Sequence, residues 1–354
     1  MKKLLVLFVF FVACVFFAAC VFFAACKPRI AGVPTIGFAD AFEDNTIGQA
    51  KQGFLDALRD SGFSSAAHTL NVIYRNAQGN PIALTQIIKY YSSEHVDLIA
   101  TCPSLATITA IQNTKGIPIF MMVSPTPTLM KVTDTSDLFG VGENQDYIDT
   151  SFTLIGTVVH PHSGPLSVGM IYNQSEPQSV AALQRIRDLA SRLGVHLVYL
   201  PVNSSADVQL VTGSILNQHV DAFFANPDNT VFSSFETIVK SCNQAGVPVF
   251  TSEAGLVARG AVAAYGADIY QWGYQSGAQA AHYLRVRDEA VSGEAAGGAS
   301  VSTPAGAAAA TASAAIGSPD AVHWALVKVR KRVYNPSAAS RFGLVLPSNF
   351  QPLH

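Results

Sequence analysis

Hydroxyl, amide and carboxylate side chains stand in loops that directly follow predicted β-strands. Ser104 follows one strand, Asn173 and Ser175 follow another, and Asp228 and Glu253 follow two more. These loops contain no nucleophile elbow, phosphate-binding glycine loop, dinucleotide fingerprint or cluster of metal ligands. Because such side chains can orient a small polar ligand without supplying machinery for bond cleavage, the sequence predicts a binding protein rather than an enzyme.

An alternation of short β-branched runs and amphipathic helices, beginning at Pro34, positions these loops. The first series predicts strands at 35–38, 70–74, 96–100 and 117–122 and helices at 48–61, 81–93 and 104–112. The second series predicts strands at 166–172, 196–202, 220–225 and 248–251 and helices at 179–193, 205–217 and 231–245. Strands separated by helices indicate parallel sheets with right-handed crossovers. We therefore expect an α/β protein with two doubly wound lobes and, since ligands bind at the carboxyl ends of such strands, a site in the interlobe cleft.

Composition and cysteine usage narrow the possible partners. The chain has 354 residues, of which 49% are hydrophobic and 13% charged, and its formal net charge is −2. Without a basic excess, a nucleic-acid partner is not expected. Beyond the first 26 residues the cysteines are Cys102 and Cys242, which fall in different predicted α/β units and are expected to be unpaired. No cysteine or histidine spacing typical of zinc occurs, so no metal or cofactor is expected.

The N-terminal segment, residues 1–26, has the pattern of a membrane-targeting signal. Two lysines precede an unbroken apolar run from 4 to 26. Such a run can span a membrane as an uncleaved helix or serve as a secretory signal. The small residues before Cys26 resemble a bacterial lipobox, which implies lipidation at Cys26, with Cys14 and Cys20 as alternative sites. All of these interpretations place the rest of the chain outside the cytosol.

A resemblance to a known family follows from four motifs. Residues 172–179, YNQSEPQS, resemble the Y-N-P-S-E-P-N-S signature of the tryptophan/tyrosine-type ABC-transporter substrate-binding proteins. Residues 76–79, 228–231 and 335–347 resemble that family's N-A-Q-G, D-N-T-V and C-terminal motifs. The resemblance implies a type I periplasmic-binding fold whose lobes close on a small ligand, often an aromatic amino acid. It also implies an ABC permease with its ATPase as the partner, and a monomer is the default for this architecture.

An amino-acid ligand needs a carboxylate for its ammonium group, donors for its carboxylate and a flat apolar wall for its ring. We assign Asp228 to the ammonium group, with Glu253 as a second candidate; alternatively, Asp228 caps the following helix. Ser104 and the helix N-terminus that it begins are assigned to the ligand carboxylate. Phe42 is assigned to the ring wall, although a core position explains it equally well. Ser124 completes the first-lobe set.

The second lobe is expected to contribute Asn173, Ser175, Ser179 and Asn229, and Ser179 is equally well explained as a helix cap. Cys102 stands where the family usually has threonine, and a thiol forms much weaker hydrogen bonds than a hydroxyl. This departure leaves the identity of the ligand open, with another polar solute such as a nucleoside as an alternative.

The predicted lobes are discontinuous in sequence. Lobe 1 comprises 34–145 and 256–287, lobe 2 comprises 146–255 and 321–354, and 288–320 is an Ala/Gly/Ser-rich flexible insertion. A return strand is expected at 325–334, after the insertion. Two other functions remain open at this point. A ligand-sensing ectodomain would share the fold and be held by an uncleaved helix, whereas an extracytoplasmic hydrolase would need a nucleophile motif that the sequence lacks.

Overall fold

The computed structural model describes residues 32–296 and 323–353. The predicted signal segment with Cys14, Cys20 and Cys26 lies outside the described residues, as does most of the predicted insertion. The strands are β1 (Thr35–Asp40), β2 (Asn71–Asn76), β3 (Leu98–Cys102), β4 (Ile119–Pro125), β5 (Leu138–Glu143), β6 (Ser167–Asn173), β7 (His196–Val202), β8 (Ala222–Ala225), β9 (Val249–Thr251), β10 (Ala263–Ala267), β11 (Trp324–Leu326), β12 (Arg330–Tyr334) and β13 (Gln351–Pro352). The helices are α1 (Asn45–Asp60), α2 (Pro81–Ser93), α3 (Ser104–Asn113), α4 (Tyr147–Val158), α5 (Pro177–Leu193), α6 (Val208–Leu216), α7 (Asn229–Ser233), α8 (Phe235–Ala245), α9 (Ala254–Val257), α10 (Ile269–Ala296) and α11 (Pro336–Arg341).

Six parallel strands form the sheet of the first lobe, in the order β11-β5-β4-β3-β1-β2. Every residue of β1 and β3 is buried, as expected for central strands whose sheet is covered on both faces. Helix α1 packs closely against α10. Gly53 and Gly273 permit this approach, because a Cβ atom at either position would overlap the backbone of the other helix.

The second lobe is built on four parallel strands in the order β7-β6-β8-β9. A further sheet, β10-β12-β13, contacts β9 through β10, and β10 and β12 run antiparallel. Glycines end two of its helices: Gly194 after α5 and Gly246 after α8 both adopt the left-handed conformation that glycine favours.

Three short connections join the lobes. They run from β5 to α4, from β10 to α10 and from β11 to β12. Backbone hydrogen bonds tie the three together: the N–H of Val327 donates to the carbonyl of Gly142 at 3.0 Å, and the N–H of Asp268 donates to the carbonyl of Val329 at 3.0 Å. The three connections therefore form one hydrogen-bonded hinge.

The predicted α/β fold with two parallel-sheet lobes is confirmed. Cys102 and Cys242 are both free, as expected, and both are buried. The structure adds β5, α4 and β10, which the sequence did not predict; β5 and β10 contain glycine and alanine, which have weak strand propensity.

Four details differ from the sequence prediction. The expected single helix at 231–245 is interrupted at Ser234, and the expected strand at 325–334 is two strands in separate sheets. Helix α10 continues to Ala296, past the expected start of the insertion. Two strands also pair across the expected lobe boundaries: β10 pairs with β12 of the second lobe, and β11 with β5 of the first. The hinge explains this exchange, because the chain crosses it three times.

Within residues 32–296 and 323–353, no helix is long and apolar enough to cross a membrane. The same residues contain no group of three or more His, Cys, Asp or Glu side chains arranged to hold a metal ion.

Candidate ligand-binding cleft

A cavity lies between the lobes at the carboxyl ends of their strands. Its empty volume, including the space at its mouth, is about 480 Å³. The first lobe contributes Ile47, Pro103, Ser104, Val123, Ser124, Pro125, Glu143 and Trp272. The second lobe contributes Tyr147, Gln178, Pro227, Asp228, Asn229, Phe232 and Glu253, and Gln145 comes from the first connection. Most of these residues lie at the ends of, or just after, β3, β4, β5, β8 and β9, where a doubly wound fold places its ligands. Ile47, Gln178 and Trp272 lie in the helices that follow β1, β6 and β10.

One end of the cavity, formed by Glu143, Tyr147 and Glu253, is called the carboxylate end here. Glu253 is 4% exposed, and among the described residues its carboxylate accepts one hydrogen bond, from the Tyr147 hydroxyl at 2.8 Å. Burial raises the pKa of Glu253 to about 8, and the nearby charge of Glu143 acts in the same direction. A buried carboxylate with so few donors has spare capacity for a cationic group.

Glu143 is buried as deeply but has a cationic partner. The Arg330 guanidinium donates to both of its carboxylate oxygens, from Nη2 at 2.5 Å and from Nε at 3.1 Å. Burial raises the pKa of Glu143 to about 7, while the hydrogen bonds and charge of Arg330 oppose that rise. The two carboxylates therefore differ: Glu143 has a cationic partner, whereas Glu253 has a neutral donor, the Tyr147 hydroxyl, among the described residues.

Aromatic side chains form the walls beside the carboxylate end. Tyr147, Phe232 and Trp272 all line the cavity and are all buried. The indole N–H of Trp272 donates to the carbonyl of Val141 at 2.8 Å, which satisfies its one polar group and fixes the ring. These rings provide the flat apolar surface that an aromatic ligand needs.

Ser104 begins α3 and stands at the meeting point of the lobes. Its hydroxyl accepts hydrogen bonds from Asn229 Nδ2 at 3.1 Å and from Gln178 Nε2 at 3.4 Å, both from the second lobe. The cleft is therefore closed at this point. On the neighbouring strand, Val123 has a φ of 50°, a rare conformation for a β-branched residue, at an irregularity in the pairing of β4 with β5.

The second lobe's wall is supported by a hydrogen-bonded cluster that we call the motif loop, residues 173–179 together with 226–230. The Asp228 carboxylate accepts from Ser179 Oγ at 2.8 Å, from the N–H of Asn173 at 3.2 Å and from the N–H of Val231 at 2.7 Å. Asn226 Nδ2 donates to Ser179 Oγ at 2.7 Å. Asp228 thus caps α7, which is the alternative that the sequence left open.

Glu176 holds the other half of the motif loop. Its carboxylate accepts from the backbone and side-chain nitrogens of Asn229, at 3.0 and 2.7 Å, and from Asn173 Nδ2 at 3.1 Å. Burial raises the pKa of Glu176 to about 7, and the adjacent charge of Asp228 acts in the same direction. The carboxylates of Asp228 and Glu176 are thus both held by several donors, whereas Gln178 Oε1 and Asn226 Oδ1 are buried without a partner among the described residues.

The structure brings together half of the residues predicted for the site. Lining the cavity are Ser104, Ser124, Asp228, Asn229 and Glu253. The other predicted residues lie behind its walls.

Phe42 packs in the hydrophobic core, and Cys102 is fully buried in β3. Asn173 and Ser179 bond within the motif loop, and the Ser175 side chain is exposed while its N–H donates to Asn173 Oδ1 at 2.8 Å. None of these five residues lines the cavity, since each is occupied by packing, by a local hydrogen bond or by solvent.

Several cavity residues were not found from the sequence. Glu143 ends a strand that was not predicted, and Tyr147 begins a helix that was not predicted. Trp272 lies near the start of α10, the helix that follows β10, and β10 is another strand that was not predicted. Glu143 and Tyr147 would have been found had the glycine-containing run at 138–143 been recognised as a strand.

Two lobes joined by a three-part hinge around a cavity with polar and aromatic lining residues define a two-lobed binding protein with a type I periplasmic-binding fold. The family model for ABC transporter substrate-binding proteins matches residues 35–289, and the chain belongs to that family. This is a family of binding proteins rather than of enzymes.

Individual relatives agree with this placement. A tyrosine-binding protein from Clostridioides difficile is 28% identical over 253 residues, which are 70% of this chain and 72% of that protein. A solved conserved domain protein from Vibrio cholerae has a TM-score of 0.72 at 24% identity and covers 90% of this chain and 99% of its own. An ABC domain from Streptococcus pneumonia, solved in complex with L-Trp, has a TM-score of 0.70 at 19% identity, with coverage of 91% and 100%. The two solved structures support the fold.

Proposed function

We propose that this chain is the extracytoplasmic solute-binding subunit of an ABC importer and that it binds an aromatic amino acid in the cavity. The bound ligand is delivered to a membrane permease with its ATPase. The chain is held at the membrane by lipid on Cys26, or on Cys14 or Cys20, and acts as a monomer. The observation that carries the ligand class is Glu253, a buried carboxylate beside aromatic walls that has a single hydrogen-bond donor among the described residues.

Each part of an aromatic amino acid has a counterpart in the cavity. The ammonium group binds Glu253, replacing the proton that burial favours there. The ring packs against Tyr147, Phe232 and Trp272. The ligand carboxylate binds at the N-terminus of α3, where Ser104 provides a hydroxyl and the helix dipole favours an anion. The tyrosine-binding relative and the L-Trp complex of a structural neighbour support this ligand class.

Titration calorimetry of L-tyrosine, L-tryptophan and L-phenylalanine against the unchanged chain and Glu253→Gln tests the proposal. We expect the unchanged chain to bind at least one of them and the variant to bind it about a hundredfold more weakly, because a charge-assisted hydrogen bond in a buried site is lost. Glu94→Gln, the same substitution at an exposed position on the end of α2, is the matched control and leaves the affinity unchanged.

Binding of a ligand that lacks the amino group tests the assignment of Glu253 to the ammonium group directly. The desamino analogue of the best ligand should bind the unchanged chain weakly and lose nothing further in Glu253→Gln, since the carboxylate then has no ammonium partner. Equal losses for the amino acid and its analogue would refute the role of Glu253 while leaving amino-acid binding in place. Failure of every amino acid to bind would refute the proposed function.

A further inference from the structure

The hinge and the ligand cavity share one ion pair. Glu143 is the last residue of β5 in the first lobe, and Arg330 is the first residue of β12 in the second lobe. Their side chains form the two-point contact described above, and Arg330 Nη2 also lies 3.2 Å from Asp146 Oδ1. One guanidinium therefore links two of the three connections on which the lobes turn.

The carboxylate that Arg330 holds belongs to the cavity wall. Glu143 is 2% exposed and lines the cavity next to Tyr147. The Arg330 guanidinium lies 5.7 Å from the centre of the Tyr147 ring, and the hydroxyl of that ring donates to Glu253. A change in the angle between β5 and β12 would therefore move the carboxylate and disturb the ring that orients Glu253.

We propose that Arg330 is a positioning residue for the ligand: it holds the Glu143 carboxylate in the cavity wall and ties its position to the angle between the lobes. This inference rests on the proposed function, because it requires an ammonium-bearing ligand at the carboxylate end. Arg330 is outside the cavity lining and acts through Glu143.

The charges around Glu143 make the effect of Arg330 on ligand affinity depend on pH, which a merely structural role would not do. The charged and titratable groups that face Glu143 are Arg330 on β12, Asp146 and Tyr147 at the start of α4, and Glu253 after β9. Arg330 is the one cation among them in the described part of the chain. Without it, burial and the neighbouring acids leave the Glu143 carboxyl protonated at neutral pH and unable to attract an ammonium group.

The test is titration of L-tyrosine into the unchanged chain, Arg330→Gln and Arg330→Lys. We expect Kd to rise about tenfold in Arg330→Gln and by less in Arg330→Lys, which retains the charge but not the two-point contact. The ratio of the Arg330→Gln Kd to the unchanged Kd should be smaller at about pH 6, where Glu143 is largely protonated in both chains, than at about pH 8, where the unchanged chain has an ionised Glu143 and loss of Arg330 favours its protonated form. Lys331→Gln removes the neighbouring hinge ion pair with Asp268, which does not line the cavity, and should leave Kd unchanged.

A double-substitution cycle decides whether Arg330 acts through Glu143. Because Glu143→Gln/Arg330→Gln replaces both members of the pair, it is expected to fold even where the buried Glu143 carboxyl, left without its partner in Arg330→Gln, prevents folding. The double variant should bind L-tyrosine as Glu143→Gln does. Arg330→Gln with unchanged affinity, a Kd ratio independent of pH, or a double variant weaker than Glu143→Gln would each overturn the inference. If the unchanged chain binds no amino acid, the proposed function fails first, and the inference fails with it.

Discussion

The motif loop and the carboxylate end are both buried, acidic and adjacent to the cavity, but they differ in how their polar groups are occupied. In the motif loop, Asp228 and Glu176 each accept several hydrogen bonds from neighbouring residues. At the carboxylate end, the Glu253 carboxylate accepts one. The carboxylates of the loop with the recognisable sequence signature are therefore saturated, whereas the carboxylate end, which has no such signature, has capacity for a ligand.

This difference distinguishes residues that support the cavity wall from residues that can bind a ligand. A buried carboxylate that is fully hydrogen-bonded stabilises the fold and has little to gain from a ligand, whereas an under-bonded one is costly until a partner arrives. A sequence motif marks residue types that are required together, and here the requirement is mutual hydrogen bonding. The comparison predicts that substitutions in the motif loop mainly change stability and that substitutions at the carboxylate end mainly change ligand affinity.

The largest stability effect is expected for Asp228→Ala. The substitution leaves Ser179 Oγ and the N–H of Val231 without their acceptor, removes one of the two acceptors of the Asn173 N–H and removes the cap of α7. We expect a loss of about 3 kcal/mol in the free energy of unfolding, measured by urea denaturation. At a temperature where the variant is folded, its Kd for the ligand should change much less than that of Glu253→Gln.

Asp207→Ala is the matched control for that experiment. Asp207 also accepts from backbone and hydroxyl groups of a second-lobe loop, but it is only half-buried and these hydrogen bonds are exposed to solvent. Its removal should cost less than about 1 kcal/mol, because water replaces the lost acceptor. If Asp228→Ala were as mild as Asp207→Ala and abolished ligand binding, Asp228 would be the ammonium partner and the comparison would be reversed.

A smaller stability effect than that of Asp228→Ala is expected from the titration of Glu253 at the carboxylate end. Since burial raises the pKa of Glu253 from about 4.5 to about 8, the folded chain binds a proton that the unfolded chain releases. Between about pH 5.5 and about pH 7.5 the folded state thus binds more protons, and stability falls as the pH rises, by about 2 kcal/mol over this range from Glu253 alone.

Urea denaturation of Glu253→Gln at the two pH values isolates that contribution. Glu143 and Glu176, whose pKa values burial also raises, are retained in both chains, and their effects therefore cancel in the difference. The variant should lose about 2 kcal/mol less than the unchanged chain over the range. Parallel curves would mean that Glu253 is ionised in the empty cavity and that the ligand displaces no proton.

The fold was largely predictable because helix periodicity, strand runs and their alternation are local properties. Helix α2 has the predicted bounds, with Asn80 as its cap and Pro81 in its first turn. The exchange of β10 and β11 between lobes was not predictable in the same way, because pairing partners distant in sequence leave no local pattern.

The site was predictable only in part, for a different reason. Loops after strands can be located from the sequence, and five of the ten predicted ligand residues line the cavity. Whether a polar atom in such a loop is free or occupied depends on neighbours that the fold brings together. Asp228 and Glu253 look alike in sequence, yet one is saturated by the motif loop and the other is not.

The smallest effect, and the sharpest division within the motif loop, is expected for Ser175→Ala compared with Ser179→Ala. Ser179 Oγ is buried, donates to Asp228 and accepts from Asn226, so its removal should cost about 1.5 kcal/mol. Ser175 contributes its backbone N–H, which alanine retains, and its exposed hydroxyl can be lost without measurable change in stability. Neither substitution should alter Kd for the ligand by more than about twofold, since neither side chain lines the cavity. A large loss of affinity in Ser175→Ala at unchanged stability would place this hydroxyl on the ligand, and the motif loop would then be part of the binding surface rather than its support.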